Sequence, residues 1–269
     1  MNGVFAEMAA KRLAAEVAGE KSREAVRSCG LTIASYLDVH ELRVVFRGLP
    51  LVLAQDLTEG STGGYLWAGT VKALEHVLSR GVLDTITASP PRVLELGAGV
   101  GLASIVLALA GASVVATDRA SALPLLQRNV DAHAEMLEAD GAGDVRVFAH
   151  AWGELASAEL QREVDLGFDL IVACDCVYAT HAVEPLIASM RALSSRARTK
   201  LIVANAQRTA LEAWLRSVRP HFDVDLLAEG RAASAGSAAD GGAGGGGGAR
   251  EERERGEEDK VRVYVGERC

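Results

Sequence analysis

The chain has 269 residues, 49% of them hydrophobic, and a formal net charge of −8 at pH 7. A chain of that size and apolar content can bury a sizeable core, so one α/β domain with appendages is expected. The acidic balance argues against a general nucleic-acid binder and weakly favours a basic, lysine-bearing protein partner.

Val4, Phe5, Met8, Leu13 and Val17 fall at near-helical spacing, which predicts a helix from 4 to about 27. The first thirty residues lack a secretory apolar run, and they carry Glu7, Glu16, Glu20 and Glu24, whereas organellar transit peptides are acid-poor. No stretch reaches the roughly 18 uncharged apolar residues of a membrane span. The cytoplasm, with access to the nucleus, is the expected compartment, and a monomer the expected state. ELRVVFRGLPLVLAQD, 41–56, alternates in two runs around Gly48-Leu49-Pro50 and predicts a β-hairpin. Residues 1–58 are therefore expected as an N-terminal helix-and-hairpin extension, and 59–269 as the main domain.

A glycine loop at 60–64 precedes a helix predicted over 67–79. Strands are then predicted at 92–97, 113–118, 145–150, 168–174, 200–205, 222–228 and 260–267, and helices near 101–110, 121–137, 181–194 and 208–217. This alternation, with strands rich in Val, Ile and Leu, predicts a mostly parallel sheet covered by helices on both faces. Between about 230 and 259 the composition shifts to GGAGGGGGA and EERERGEED, with almost no large apolar residue. Such a segment cannot offset its ordering entropy and is expected to be a disordered insertion between the last two strands. If those two pair antiparallel, the sheet has seven strands with one reversed.

The chemistry gathers at strand tips. VLELGAGVGLASIVLALAGASVVATD, 93–118, reads as a strand, a glycine turn, a helix and a second strand ending in Asp118. An acid about 20 residues past the glycines suits the two hydroxyls of a ribose. The glycines Gly97, Gly99 and Gly101 follow a G-x-G-x-G spacing, not the G-x-G-x-x-G of dinucleotide folds, and Glu95 stands two places ahead. A fixed anion at Glu95 would repel a pyrophosphate and attract the ammonium and sulfonium of S-adenosylmethionine. A ligand-free turn and a nicotinamide or flavin cofactor are the alternatives.

Ala151-Trp152-Gly153 follows the third strand, where Trp152 could stack on adenine. Asp175-Cys176-Val177-Tyr178 follows the fourth. A carboxylate and a phenol three residues apart can face one pocket. A lysine must shed a proton before attacking a methyl group, at a cost of roughly 4–5 kcal/mol at neutral pH. A nearby Asp⁻ opposes that loss. Asp175 is therefore expected to position the amine, with Tyr178 flanking it through a cation–π contact worth about 0.5–2 kcal/mol. Cys29, Cys174, Cys176 and Cys269 offer neither a disulfide framework nor zinc spacing, and the six histidines show no ligand spacing. No G-x-S-x-G elbow or Walker lysine supports hydrolase or NTPase chemistry.

Together these residues resemble the seven-β-strand (class I) protein-lysine N-methyltransferases that carry a D-x-x-Y motif. The chain is most similar to the branch acting on chaperones and AAA ATPases such as valosin-containing protein. The likeness runs from about 41 to 267 and includes the hairpin, the glycine loop before Trp67, VLELGAGVG, Thr117-Asp118, LLQRNV, AWG at 151–153, ACDCVY, QRT at 207–209 and the final β run. It implies a Rossmann-like fold and methyl transfer from S-adenosylmethionine to a protein lysine, with S-adenosylhomocysteine as product. It also implies a cofactor pocket of Trp67, Gly97, Ala98, Gly99, Asp118, Trp152 and Cys174, with Arg119 beside Asp118, and Asp175 and Tyr178 at the lysine entrance.

Two departures stand out. Trp67-Ala68-Gly69-Thr70 replaces the usual W-D/E-A-A, and Cys174 replaces a common alanine. A small-molecule or nucleic-acid methyltransferase is one alternative, although Cys176-Val177 stands where base methylases carry two prolines. A non-catalytic interaction module with this fold is another.

Overall fold

SVVATD and LIVAC are buried at every position, which only strands covered on both faces can satisfy. The computed structural model describes residues 26–28, 31–33, 40–58, 63–87, 90–194, 199–206, 209–231 and 260–268. Strands β1 (Val26–Ser28), β2 (Leu31–Ile33), β3 (Glu41–Phe46) and β4 (Leu49–Ala54) form an antiparallel sheet in that order. The expected hairpin is β3–β4, but its turn is Arg47-Gly48, one place earlier than expected. Both residues sit at positive φ, 50° and 85°, the twist that a two-residue hairpin loop requires. Leu49 and Pro50 belong to the strand, with Pro50 opposite Val45. The helix expected from 4 to about 27 lies outside the described residues up to 25. Its last positions, Val26 and Arg27, instead pair with Ile33 and Thr32, because pairing with β2 overrides helical spacing.

The main sheet is built from α1 (Ala68–Ser79), β5 (Arg92–Leu96), α2 (Leu102–Leu109), β6 (Ser113–Asp118), α3 (Leu123–Asp131), α4 (Ala134–Leu137), β7 (Val145–Ala149), α5 (Ala158–Leu166), β8 (Leu170–Cys174), α6 (Thr180–Leu193), β9 (Lys200–Ala206), α7 (Thr209–Val218), β10 (Phe222–Arg231) and β11 (Lys260–Arg268). Its order is β10-β11-β9-β8-β5-β6-β7. Both pairings of β11 are antiparallel and the others parallel, so the sheet has seven strands with one reversed, as expected. Arg231 pairs with Lys260, so the chain leaves and re-enters the sheet at facing residues. The insertion between them, with its expected disorder, lies outside the described residues.

Alternation sends successive strand residues to opposite layers. Val93, Val114, Leu170 and Ile202 pack with α1, α2 and α3. Leu94, Val115, Ile171 and Leu201 pack with α5, α6 and α7. Helix α5 was not expected from the sequence. Its signal was Ser157, whose Oγ accepts the Leu160 N–H at 3.2 Å as an N-cap, with Leu160 and Val164 buried one turn apart.

The helix expected over 121–137 breaks after Asp131, where its side chains serve β4 instead. Asn129 Oδ1 accepts the Ala54 N–H at 2.8 Å, and its Nδ2 donates to Ala54 O at 3.0 Å and Val100 O at 2.9 Å. His133 Nε2 accepts the Val52 N–H at 3.2 Å, so its proton is on Nδ1, which donates to Asn129 O at 2.7 Å. These bonds give an edge strand its partners and tie the small sheet to the glycine turn.

Candidate active site

Beyond β5 the chain steps to β6 on one side, while β8 lies on the other. Ligands of such sheets sit at that reversal, outside the carboxyl ends of the strands. A cavity of about 330 Å³ opens there. Its lining includes Trp67, the turn residues Gly97, Ala98 and Gly99, and Asp118 with Arg119 at the tip of β6. Trp152, Cys174, Asp175 and Tyr178 line it as well. Ten of the twelve expected residues thus converge, and Glu95 and Gly101 do not.

The N–H groups of Gly97 and Ala98 both donate to Thr117 O, at 2.9 and 3.0 Å, which fastens the turn to β6. Gly97 has φ 71°, and a Cβ there would lie 2.8 Å from Cys176 Sγ and 3.0 Å from the Trp152 ring. Any side chain would fill the cavity floor. Gly101 serves packing instead, since a Cβ there would come 2.6 Å from Leu126 Cδ1 on α3.

Asp118 Oδ2 accepts the Gly99 N–H at 2.8 Å and Oδ1 accepts the Arg119 N–H at 2.7 Å. Burial pushes its acid up, against the pull of these two N–H groups and the Arg119 charge. A carboxylate oriented in this way keeps lone pairs for a further donor pair.

The fixed anion expected at Glu95 is corrected. Alternation along β5 points residue 95 toward α2, on the same side as Val93, where it is 1% exposed and accepts the Ser104 hydroxyl proton. Burial raises its acid from 4.5 to about 7, so near neutral pH it is not a permanent charge. Any pull on a cation must act through the turn.

Aromatic rings line the cavity from two directions. Tyr65 and Trp67 lie 4.6 Å apart at 38°, and Trp152 and Tyr178 lie 6.2 Å apart at 46°. Tyr178 is 39% exposed at the mouth. The turn that carries it is held at several points. Asp175, at φ 52°, donates its N–H to Ala204 O at 2.8 Å. Its Oδ2 accepts the Gly69 N–H. Asn205 accepts the Val177 N–H at 2.9 Å and donates to Val177 O at 3.1 Å. Cys174 and Cys176 are buried free thiols, pushed well up by burial and nearby carboxylates; the Cys176 thiol donates to Leu96 O at 3.0 Å.

Sequence reasoning missed Tyr65, Thr70, His150, Cys176, His181 and Pro185 as cavity residues. His150 was legible as the residue immediately before AWG at a strand tip. Burial lowers its pKa, and its Nε2 meets Ser189 Oγ at 2.8 Å, the same oxygen that accepts the Gly153 N–H at 2.9 Å. Ser189 and Asn205, single polar residues in otherwise apolar runs, thus position the two loops that carry Trp152 and Tyr178.

A family model described as lysine methyltransferase matches residues 46–219, a span that holds every residue of the cavity lining. Protein N-lysine methyltransferase METTL21A of Danio rerio is 33% identical over 172 residues, 64% of this chain and 74% of that protein. EEF1A lysine methyltransferase 3 of Mus musculus is 32% identical over 139 residues, 50% of this chain and 55% of that protein. A diaminohydroxyphosphoribosylamino-pyrimidine deaminase of Schizosaccharomyces pombe is 29% identical over 175 residues, 63% of this chain and 41% of that protein.

Proposed function

The chain belongs to the lysine methyltransferase family, and we propose on that footing that its cavity brings S-adenosylmethionine and a protein lysine together, so that the methyl group passes to the side-chain amine and S-adenosylhomocysteine leaves. One observation carries the reading: the acid suited to a ribose and the acid–phenol pair suited to an amine open into the same cavity. Asp118 accepts from the ribose hydroxyls, and Trp152 flanks the adenine. The bare Gly97 backbone leaves room for the methionine portion. The bound cofactor supplies a methyl group already activated on a sulfonium, so the protein needs no nucleophile of its own.

The residues then act by placement. Tyr178 shields the lysine chain at the mouth, and the Asp175 carboxylate draws the amine toward the cavity. Because an Asp⁻ favours the charged amine, the proton must leave to water on the open side, where Tyr178 is partly exposed. Alignment of the amine with the methyl group is then the main source of rate.

The resemblance across about 41–267 supports a chaperone or AAA ATPase as substrate, and we propose that a monomer acts on it in the cytoplasm, with access to the nucleus. Among the described residues no helix is long and apolar enough to cross a membrane.

The test is transfer of a radiolabelled methyl group into a cell lysate, followed by protease, nuclease and amino-acid analysis. Label recovered as methyl-lysine supports the reading. Nuclease-sensitive or small-molecule label would replace it with a different methyltransferase. No label, together with no thermal stabilisation by S-adenosylhomocysteine, would leave an interaction module.

A further inference from the structure

Helix α1 begins without the usual help. Its N-cap, Trp67, makes no side-chain capping bond, and its first turn holds no acid. A helix start leaves four N–H groups unpaired and carries about half a positive charge. One of these N–H groups, that of Gly69, donates to Asp175 Oδ2, on a residue 106 positions away in the chain. The turn that bears the substrate-side acid thus closes onto the helix start that bears Trp67.

That approach requires a glycine. A Cβ on residue 69 would lie 2.6 Å from Ala204 O and 2.7 Å from Asp175 Cγ. Neither neighbour is free to step aside. The Ala204 carbonyl belongs to β9 and already accepts the Asp175 N–H at 2.8 Å. Asp175 is held at φ 52°, and two residues on, Asn205 clamps both backbone groups of Val177. Three elements meet at one gap too small for a methyl group.

We propose that Gly69 is a positioning residue for methyl transfer, seating the start of α1 on Asp175 so that this carboxylate and Trp67 face the cavity as one unit. The proposal rests on the methyl-transfer reading above. In this chain the acid serving the start of α1 comes from Asp175, across the fold, and the close approach leaves no room for a Cβ at residue 69.

The test is the double-mutant cycle of Gly69→Ala and Asp175→Ala in the full chain. The readouts are the rate of tritiated methyl transfer into lysate protein at saturating S-adenosylmethionine and the Kd for S-adenosylhomocysteine. A displacement near 1 Å at the reacting groups costs on the order of 100-fold, so Gly69→Ala should slow labelling by about 100-fold while the Kd moves less than about threefold. In the Asp175→Ala background the added Gly69→Ala should slow labelling clearly less than it does in the wild type, because the carboxylate it displaces is gone and only the Ala204 carbonyl still opposes the Cβ. Wild-type labelling by Gly69→Ala, or losses that multiply in the double variant, would overturn the proposal.

If Gly69→Ala fails to bind S-adenosylhomocysteine at all, Asp175→Asn decides. Its amide oxygen can still accept the Gly69 N–H, so it must label faster than Asp175→Ala, and equal rates overturn the proposal. A wild-type protein that labels no lysine would instead refute the family-based function.

Discussion

Replacing Glu95 with glutamine should stabilise the cofactor-free protein at alkaline pH. The carboxyl is 1% exposed, and burial, with the charge of Asp118 as a smaller contributor, raises its acid from 4.5 to about 7. An acid that is weaker in the folded state than in the unfolded one penalises folding once it ionises. The penalty is absent below 4.5, grows as pH rises, and is complete above about 7. At 1.36 kcal/mol per pH unit it comes to about 3 kcal/mol. The glutamine side chain keeps the shape and an acceptor for Ser104, and it never charges. Glu95→Gln should therefore match the wild type near pH 4.5 and exceed it by about 3 kcal/mol at pH 8, or roughly 6–12 °C in Tm for a chain of this size. Asp118 is also raised by burial and acts in the same direction, but its burial is common to both proteins, and only its smaller repulsion with Glu95 differs between them. Denaturant melts at pH 4.5, 6 and 8 measure the gap. A gap that stays constant across that range, or a variant destabilised throughout, would refute the assignment of a buried, proton-holding acid at residue 95.

Three other outcomes follow from the same geometry. Asp118→Ala removes a charged acceptor, worth about 1.5–3 kcal/mol, and should weaken S-adenosylhomocysteine binding about 10- to 100-fold by calorimetry. Tyr178→Ala should raise the KM for the protein substrate by about 2- to 30-fold through loss of the cation–π contact, while Tyr178→Phe stays near wild type and cofactor affinity is unchanged in both. Asn129→Ala strands both backbone groups of Ala54 and the Val100 carbonyl, and should cost roughly 3 kcal/mol in a thermal or denaturant melt.

Much of the site was legible because it is built from strand tips. Gly97, Asp118, Trp152 and Asp175 each stand at or just past the end of a predicted strand, and a doubly wound sheet brings such tips together whatever its loops do. Ser157 shows a signal that was present but unread, since an N-cap serine with Leu160 and Val164 one turn apart marks α5. The end of the helix at Asp131 was a different matter. Nothing in QRNVDAHAE forbids another turn, and the helix stops there because Asn129 and His133 bond to a strand some 75–81 residues earlier.

Most of the alternation of strands and helices from residue 92 onward, and the acids and aromatics at the strand tips, were determined by the sequence alone, because apolar periodicity and tip position are properties of neighbouring residues. Where Glu95 points, whether it holds its charge, and why residue 69 must lack a side chain were decided only by the tertiary structure. Each depends on how closely segments distant in the chain approach one another, and on how much water that approach excludes.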